Sequence, residues 1–444
     1  MSLLGKRSVC AAFLGALLSL SGLAHGDQDS PSDGASDAKD ASSSDKDKDS
    51  SDKDSSDKSS SDKDKDKESS SGSKKSNLVG RASSEVSMYS DTEAVTVVTP
   101  TIGATIENPL AEWSVSARYL VDVVSAASVD IVATASRRWR EVRHGGSFDG
   151  SYKTGIVGLG ATGSFSIEPD YVGWGAGATV SIDLFQKNAT LLAGYSFGRD
   201  IIGRSGTPFD VFSHVVLNHT VNAALTLLVN RDTIMSFVGD AIIQDGDTSK
   251  PYRYIPLFSL SDANKVPVGA SIDLVNEHRL NLRPLEQLPT SRDMFAATVR
   301  LAHRFSSSTL RISERFYRDT WGLTATSTDV RYIFDVHPRV SLWPHGRLHL
   351  QTPVAFWQRA YGAAQTSSGQ WQVPALRTGD RELGPLRGLT GGGGIQIRVG
   401  PESSPADFTL NLQGEAVWTA YLDDLYITNR VSGLGLMAVE AVFE

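Results

Sequence analysis

Between Val172 and Leu184 every second residue is apolar: Val172, Trp174, Ala176, Ala178, Val180, Ile182 and Leu184. The residues between them are small or polar: Gly173, Gly175, Gly177, Thr179, Ser181 and Asp183. Successive side chains of an extended chain point to opposite sides, so this alternation makes a strand with one apolar and one polar face. Strands of soluble proteins usually run about five or six residues, whereas a tilted strand crossing a bilayer needs about 9–11. The segment suits a membrane-spanning strand.

Similar segments recur almost to the C-terminus: Ala94–Ile106, Trp113–Val124, Glu141–Tyr152, Ile156–Ile167, Ala189–Phe197, Phe212–Val229, Thr233–Ile243, Phe295–Phe305, Thr309–Tyr317, Thr328–Val336, Val340–Phe356, Gly391–Val399, Phe408–Ala420 and Arg430–Phe443. With Val172–Leu184 that makes fifteen. Bacterial barrels close with an even number, so one strand is missed or overcounted, near Glu85–Tyr89 or Val129–Ala135. The expected fold is an all-β, transmembrane antiparallel β-barrel of 14–16 strands, occupying residues 79–444. Connections alternate short and long. The short set faces the periplasm and the long set, about 125–140, 198–211, 244–294 and 361–389, faces outward, with 168–171 its one short member. Strand Ala94–Ile106 would then start at the outer surface, so either an earlier strand exists or residues 79–92 thread the lumen.

Sorting the faces gives the lumen its chemistry. Phe295, Ala297, Val299, Leu301 and Phe305 face lipid, leaving Thr298, Arg300 and Arg304 inside. On following strands Arg311, Ser313, Arg315, Arg331, Asp335, Arg347, His349, Gln396, Arg398, Asn411, Gln413 and Glu415 face inward. A charge pointing at hydrocarbon costs on the order of 2–4 kcal/mol near the midplane, which explains the segregation. Aromatics near strand ends (Trp113, Tyr119, Tyr171, Trp321, Trp343, Trp418, Tyr421, Tyr426) suit interfacial girdles. The last strand has Val431, Gly433, Gly435, Met437, Val439, Ala441 and Phe443 on one face, the terminal signature read by barrel-assembly machinery, although Glu444 follows the aromatic.

Residues 1–26 read as a cleaved secretory signal: Lys6 and Arg7, an apolar run from Val9 to Leu23, then Ala24-His25-Gly26. Residues 27–78 are a Ser/Asp/Lys tract with almost no apolar surface to bury, expected to be a disordered tether spanning roughly 40 Å. Its aspartates lack the spaced ligands and glycine of a calcium loop. Cys10 is the one cysteine and lies within the signal, so disulfide, lipid-anchor and zinc readings fall away. No run of about 18 uninterrupted apolar residues follows the signal, which excludes a helical membrane protein.

Catalytic sets are not apparent, and no enzyme activity, cofactor or metal is expected. His345 and His349 share a face but sit about 13 Å apart along a strand, too far for one metal ion. His214 and His219 fall on opposite faces, and His303 falls on a lipid face. Gly391-Gly392-Gly393-Gly394 reads as close packing or a bend. Asp245-Gly246-Asp247 could hold a cation in the longest loop. The functional clue is the arginine set: Arg300, Arg304, Arg311, Arg315, Arg331, Arg347 and Arg398 line neighbouring strands, with Asp122, Asp183, Asp240 and Glu415 elsewhere.

The stretches Met88–Pro100 and Tyr119–Ser128, with Ala193–Phe197, Phe316–Gly322 and Gly379–Pro385, resemble a family catalogued as domain of unknown function 3570, over residues 85–444. The resemblance implies an outer-membrane barrel of a Gram-negative bacterium with no assigned activity. Its genes neighbour periplasmic flavin-transfer and thioredoxin-like proteins, which implies a redox-linked envelope role as one alternative. Two functions therefore stand open: a passive, anion-preferring pore with a transverse field, or a plugged barrel whose tether makes it an envelope adaptor. Outer-membrane lipid and the assembly machinery are the expected partners; nucleic acid is not.

Overall fold

The computed structural model describes residues 78–126, 139–400 and 406–443. The signal and tether readings lie outside these residues, apart from Leu78, as do Val129–Ala135. Nine strands come first: β1 (Val79–Asp91), β2 (Thr96–Asn108), β3 (Trp113–Ala126), β4 (Trp139–Thr154), β5 (Val157–Glu168), β6 (Tyr171–Leu184), β7 (Ala189–Gly203), β8 (Ser213–Asn230) and β9 (Thr233–Asp245). A long connection carries β10 (Leu257–Ser259), α1 (Leu260–Ala263) and α2 (Ile272–His278). Next come β11 (Ser291–Arg304), β12 (Ser308–Asp319), β13 (Thr324–His337) and β14 (Val340–Gln351). A second long connection holds β15 (Tyr361–Gln365) and β16 (Trp371–Gln372), followed by β17 (Leu386–Val399), β18 (Ala406–Tyr421) and β19 (Asn429–Phe443).

Sixteen of these strands close into one antiparallel barrel, while β10, β15 and β16 form a separate small sheet. All fifteen expected strands are barrel strands. The sixteenth is β1, which holds Glu85–Tyr89 and closes the ring by pairing with β2 and β19. It removes the awkward start of Ala94–Ile106: residues 79–91 are wall, and β1 sends the chain to the outer end. Its own sequence, Ser83-Ser84-Glu85-Val86-Ser87, has too few apolar residues to alternate clearly. Closure leaves no unpaired edge, as a bilayer demands. Three outer connections besides 168–171 are also short: 92–95, 320–323 and 422–428.

Register fixes the faces, because directly paired residues point the same way. Ile102, Phe148, Trp174, Phe295, Phe316, Phe334, Phe408 and Met437 are all exposed on the outer face. The girdle is not the one expected. Trp113, Tyr119 and Trp418 point outward, but Tyr171, Trp343 and Tyr421 point into the barrel, while Trp321 and Tyr426 pack within the outer connections. Outward aromatics instead cluster as His303, Phe305, Tyr332 and Phe334 near the periplasmic end. Charged residues also face outward: Arg199, Asp293, Arg318 and Arg387 do so towards the outer ends of their strands, and Glu314 does so in mid-strand. Glu314 pairs with Val299 and Thr328 on the lipid face, where the Thr326 and Thr328 hydroxyls donate to its carboxylate.

Candidate functional site in the barrel lumen

The outer connections form a cap with its own core. Phe258, Val266, Ala270, Val275 and Leu425 make one buried cluster; Ile255, Leu257, Tyr361 and Ala363 make another. Leu288 and Val354 pack against Trp321, Leu323 and Leu383, and Ile427 packs against the inward-facing Leu386 and Tyr421 at the outer ends of β17 and β18. At the centre, Arg253 Nη1 lies 3.0 Å from both Glu286 Oε1 and Asp380 Oδ2. Glu286 also accepts from Thr378 Oγ1 at 2.7 Å and from the Lys250 amide at 3.0 Å. Burial opposes ionisation of Asp380, but Arg253 and then Lys250 overcome it and hold its carboxyl below the usual range. Burial pushes the Tyr361 hydroxyl up to about 12.

The connection between β9 and β11 crosses the barrel mouth. The Tyr252 hydroxyl reaches Asp170 in the β5–β6 turn at 3.3 Å, and the Ser205 amide donates to it. Further along the same connection, the Gly269 and Ala270 amides donate to the carbonyls of Asp424 and Leu425, between β18 and β19. Those two anchoring points lie six strands apart by the shorter way round. Inward residues at the outer end are accordingly buried: Tyr89, Val97, Val124, Val216 and Tyr421 are each at most 7% exposed. Towards the other end the inward-facing Asp149, Ser151, Arg300 and Arg398 are exposed. Inward side chains are thus buried at the outer end and exposed towards the other.

Most lumen charges are laced in pairs. Asp122 accepts from Thr99 and Arg143 at 2.6 Å each, and Asp183 from Lys153 at 2.6 Å and Thr190 at 2.9 Å. Arg315 reaches across β11 to Asp240 at 3.2 Å, and Arg304 across β12 to Asp335 at 2.5 Å. The expected separation of arginines from acids therefore fails for Asp240, which sits among them; Glu415 is drawn to the same wall. His345 Nε2 meets Asp329 Oδ2 at 2.8 Å, and its Nδ1 meets Glu415 Oε1 at 2.7 Å. Gly392 makes the second contact feasible. It lies on β17 between His345 and Glu415, and a Cβ there would come within 2.8 Å of the Glu415 Cγ. Likewise the Trp343 indole lies over Gly394, where a Cβ would meet the ring at 2.4 Å. The glycine run is thus a close-packing device in the middle of β17, not at a strand start.

Arg300, Arg331, Arg347 and Arg398 form no ion pair among the described residues. The glycines of β6 are covered by neighbouring side chains: a Cβ at Gly173 would meet Asp200 Oδ1 at 2.6 Å and one at Gly177 the Ser196 Cβ at 2.9 Å, while Thr162, Ser164 and Thr179 on the same inner face are exposed. His214 and His219 point inward and outward respectively, the latter bonded to Tyr195. Asp247 binds the Ser249 amide, and its carboxylate lies 4.0 Å from His214. Sequence reading missed the cap core and one acidic group: Glu141, Glu168 and Asp170 bring carboxylate oxygens within 4.8 Å of one another at the outer rim, where each also engages other groups. No helix among the described residues is long and apolar enough to cross a membrane.

A family model matches residues 136–403, more than half of the sequence. The chain belongs to the family described as Protein of unknown function (DUF3570). Of the motifs that carried the resemblance, Ala193–Phe197, Phe316–Gly322 and Gly379–Pro385 fall within the DUF3570 match; the two N-terminal ones precede it. No curated protein matches the chain. Solved structures similar to this DUF3570 member include the siderophore receptor PirA from Acinetobacter baumannii, with 10% identity, 77% of this chain and 52% of that one covered, and a TM-score of 0.37. This chain thus spans about half the length of that receptor. A bacterial polysaccharide outer membrane secretin gives 10% identity, coverage of 83% and 98%, and a TM-score of 0.40. The toluene transporter TodX from Pseudomonas putida gives 8%, 82% and 89%, and 0.34.

Proposed function

We propose that this outer-membrane barrel is closed at its outer mouth by its own connections and serves as an envelope anchor or adaptor with a periplasm-facing vestibule, not as a passive pore. One contrast carries the reading: inward residues at the outer end are buried beneath the cap, while Arg300 and Arg398 lower down stay exposed. A constitutive pore needs a continuous wet path, and the buried Arg253–Glu286–Asp380 group and the apolar clusters around it stand in the way. Residues 1–26 would direct export, β19 would engage the assembly machinery, and the tract 27–78 would contact partners in the periplasm. This reading involves no catalytic step.

Conductance in planar bilayers tests this. The intact protein is expected to give no steady current, and a variant with residues 250–287 replaced by a short Gly/Ser linker to conduct. A steady ohmic current from the intact protein would restore the pore reading, which the exposed lumen arginines favour. Deleting residues 27–78 should leave the barrel's electrical behaviour unchanged while removing co-purifying envelope partners.

A further inference from the structure

Beneath the cap, the inner wall pairs a hydroxyl with an imidazole. Ser327 on β13 stands directly opposite His349 on β14, and its Oγ lies 2.7 Å from the ring Nδ1. The tautomer follows from Gln351, two residues along the same face. Gln351 Nε2 donates to the Glu382 and Gly384 carbonyls of the cap at 2.8 and 2.9 Å, which uses both of its N–H groups. Its oxygen is therefore what it offers in its hydrogen bond with His349. The ring carries its proton on Nε2, leaving the Nδ1 lone pair for the Ser327 hydroxyl. On the other flank of Ser327 stands Arg315 of β12, at a Cβ separation of about 4.5–5.5 Å for such directly paired residues. Arg315 Nη1 keeps Asp240 at 3.2 Å, and the guanidinium has further N–H donors. Ser327 is buried, but the Arg315 side chain beside it is 43% exposed, so the pair borders the open lumen. On the other flank of His349, Gly388 presents no side chain, and a Cβ built there would meet nothing nearer than the His349 Cβ at 3.6 Å.

We infer that Ser327 is a nucleophile with His349 as its general base, and that the lumen hydrolyses small carboxylic esters. The Ser327 oxygen attacks the ester carbonyl carbon while its proton passes to His349 Nδ1, and the carbonyl oxygen becomes an oxyanion beside Arg315. The bond to the alcohol oxygen then breaks, that oxygen takes the proton from Nδ1, and an acyl-serine remains. Water adds to the acyl carbon and passes one proton to Nδ1. The Ser327 oxygen leaves and recovers that proton, and the carboxylic acid is released. Gln351 is a positioning residue. Its amide oxygen sets no full charge against the growing imidazolium, as a carboxylate would, which suits esters rather than amides. The inference goes beyond the anchor reading and does not rest on it, because conduction and hydrolysis fail separately.

A fluorophosphonate and p-nitrophenyl acetate are the probes, used on the whole protein in detergent. Heat-modifiable migration on a gel verifies that each variant has folded. Mass spectrometry should find the phosphonyl group on Ser327, with labelling at least about a hundredfold slower in His349→Ala. Labelling should be unchanged in Ser116→Ala, on the inward face of β3. Ester turnover should fall at least about a hundredfold in Ser327→Ala, and Gln351→Ala should lower kcat while KM stays as it was. Should Ser327→Ala not fold, Ser327→Cys reads the same point, and its thiol should react with iodoacetamide at least about tenfold faster than that of Ser116→Cys. No label on Ser327, equal labelling in His349→Ala, or equal turnover without the Ser327 hydroxyl would each overturn the assignment.

Discussion

The cap should open when Glu286 is truncated. Its carboxylate is fully buried and takes hydrogen bonds from Arg253, Thr378 and the Lys250 amide at 3.0, 2.7 and 3.0 Å. Removing one partner of a buried ion pair costs about 3–5 kcal/mol, because the remaining charge stays buried. Asp380 still lies 3.0 Å from Arg253 and takes up part of that loss, so the lower bound applies to Glu286→Ala. About 3 kcal/mol raises the population of open caps by roughly two orders of magnitude, at about 1.4 kcal/mol per tenfold. The barrel wall should survive, since no barrel strand contributes to this ion group. Limited proteolysis of whole cells, reading cleavage within residues 246–290, measures the opening. Lys265→Ala is the control, because its 2.8 Å pair with Asp262 is exposed and worth at most about 1 kcal/mol. Glu286→Gln, which keeps an acceptor for Thr378, should fall between them. If Glu286→Ala is cleaved no faster than Lys265→Ala, the buried ion group does not hold the cap.

Three further outcomes follow from the geometry. Gly392→Val puts a Cβ within 2.3 Å of the Gly414 carbonyl oxygen and blocks His345 from Glu415, and should cost about 1–3 kcal/mol of overpacking at least; an unchanged urea midpoint would contradict it. On the lipid face, Glu314→Val should leave the midpoint unchanged or raise it, while Glu314→Lys should lower stability by about 2–4 kcal/mol, and equal midpoints would place this position outside the hydrocarbon. Acid should loosen the cap. Asp380 has a lowered folded-state pKa, so its contribution is present above the unfolded value of about 3.9 and lost as pH falls through the folded one. Tyr361 acts at the other end: raised to about 12, its contribution is present below about 10 and lost as pH climbs through the folded value. Protease protection of residues 246–290 across pH should therefore fall at both extremes.

Where sequence reading failed, the cause was physical. β1, the strand expected near Glu85–Tyr89 or Val129–Ala135, could not be traced from alternation because serines fall on both of its faces (Ser83 and Ser87 inside, Ser84 and Ser90 outside), and its pairing with β19 is what settles it. Glu314 was legible and overlooked: it has the parity of Ile312 and Phe316, and a face assigned by its apolar majority hides one acid. The girdle went wrong for a related reason. Nearness to a strand end says nothing about which face Trp343 or Tyr421 occupies, and parity puts both inside.

Alternation by itself determined the barrel, the inward side of the arginines and the end carrying the long connections, because a side chain's face depends only on its position along its own strand. What the arginines meet was decided by tertiary structure. Arg315 finds Asp240 across an intervening strand, His345 finds Glu415 over a bare glycine, and Arg311 is set against Arg331, through register between strands whose sequence order does not reveal it. The cap core is likewise tertiary. Arg253, Glu286 and Asp380 lie far apart in the chain, and only the folding of two long connections over the barrel brings them to hydrogen-bonding distance.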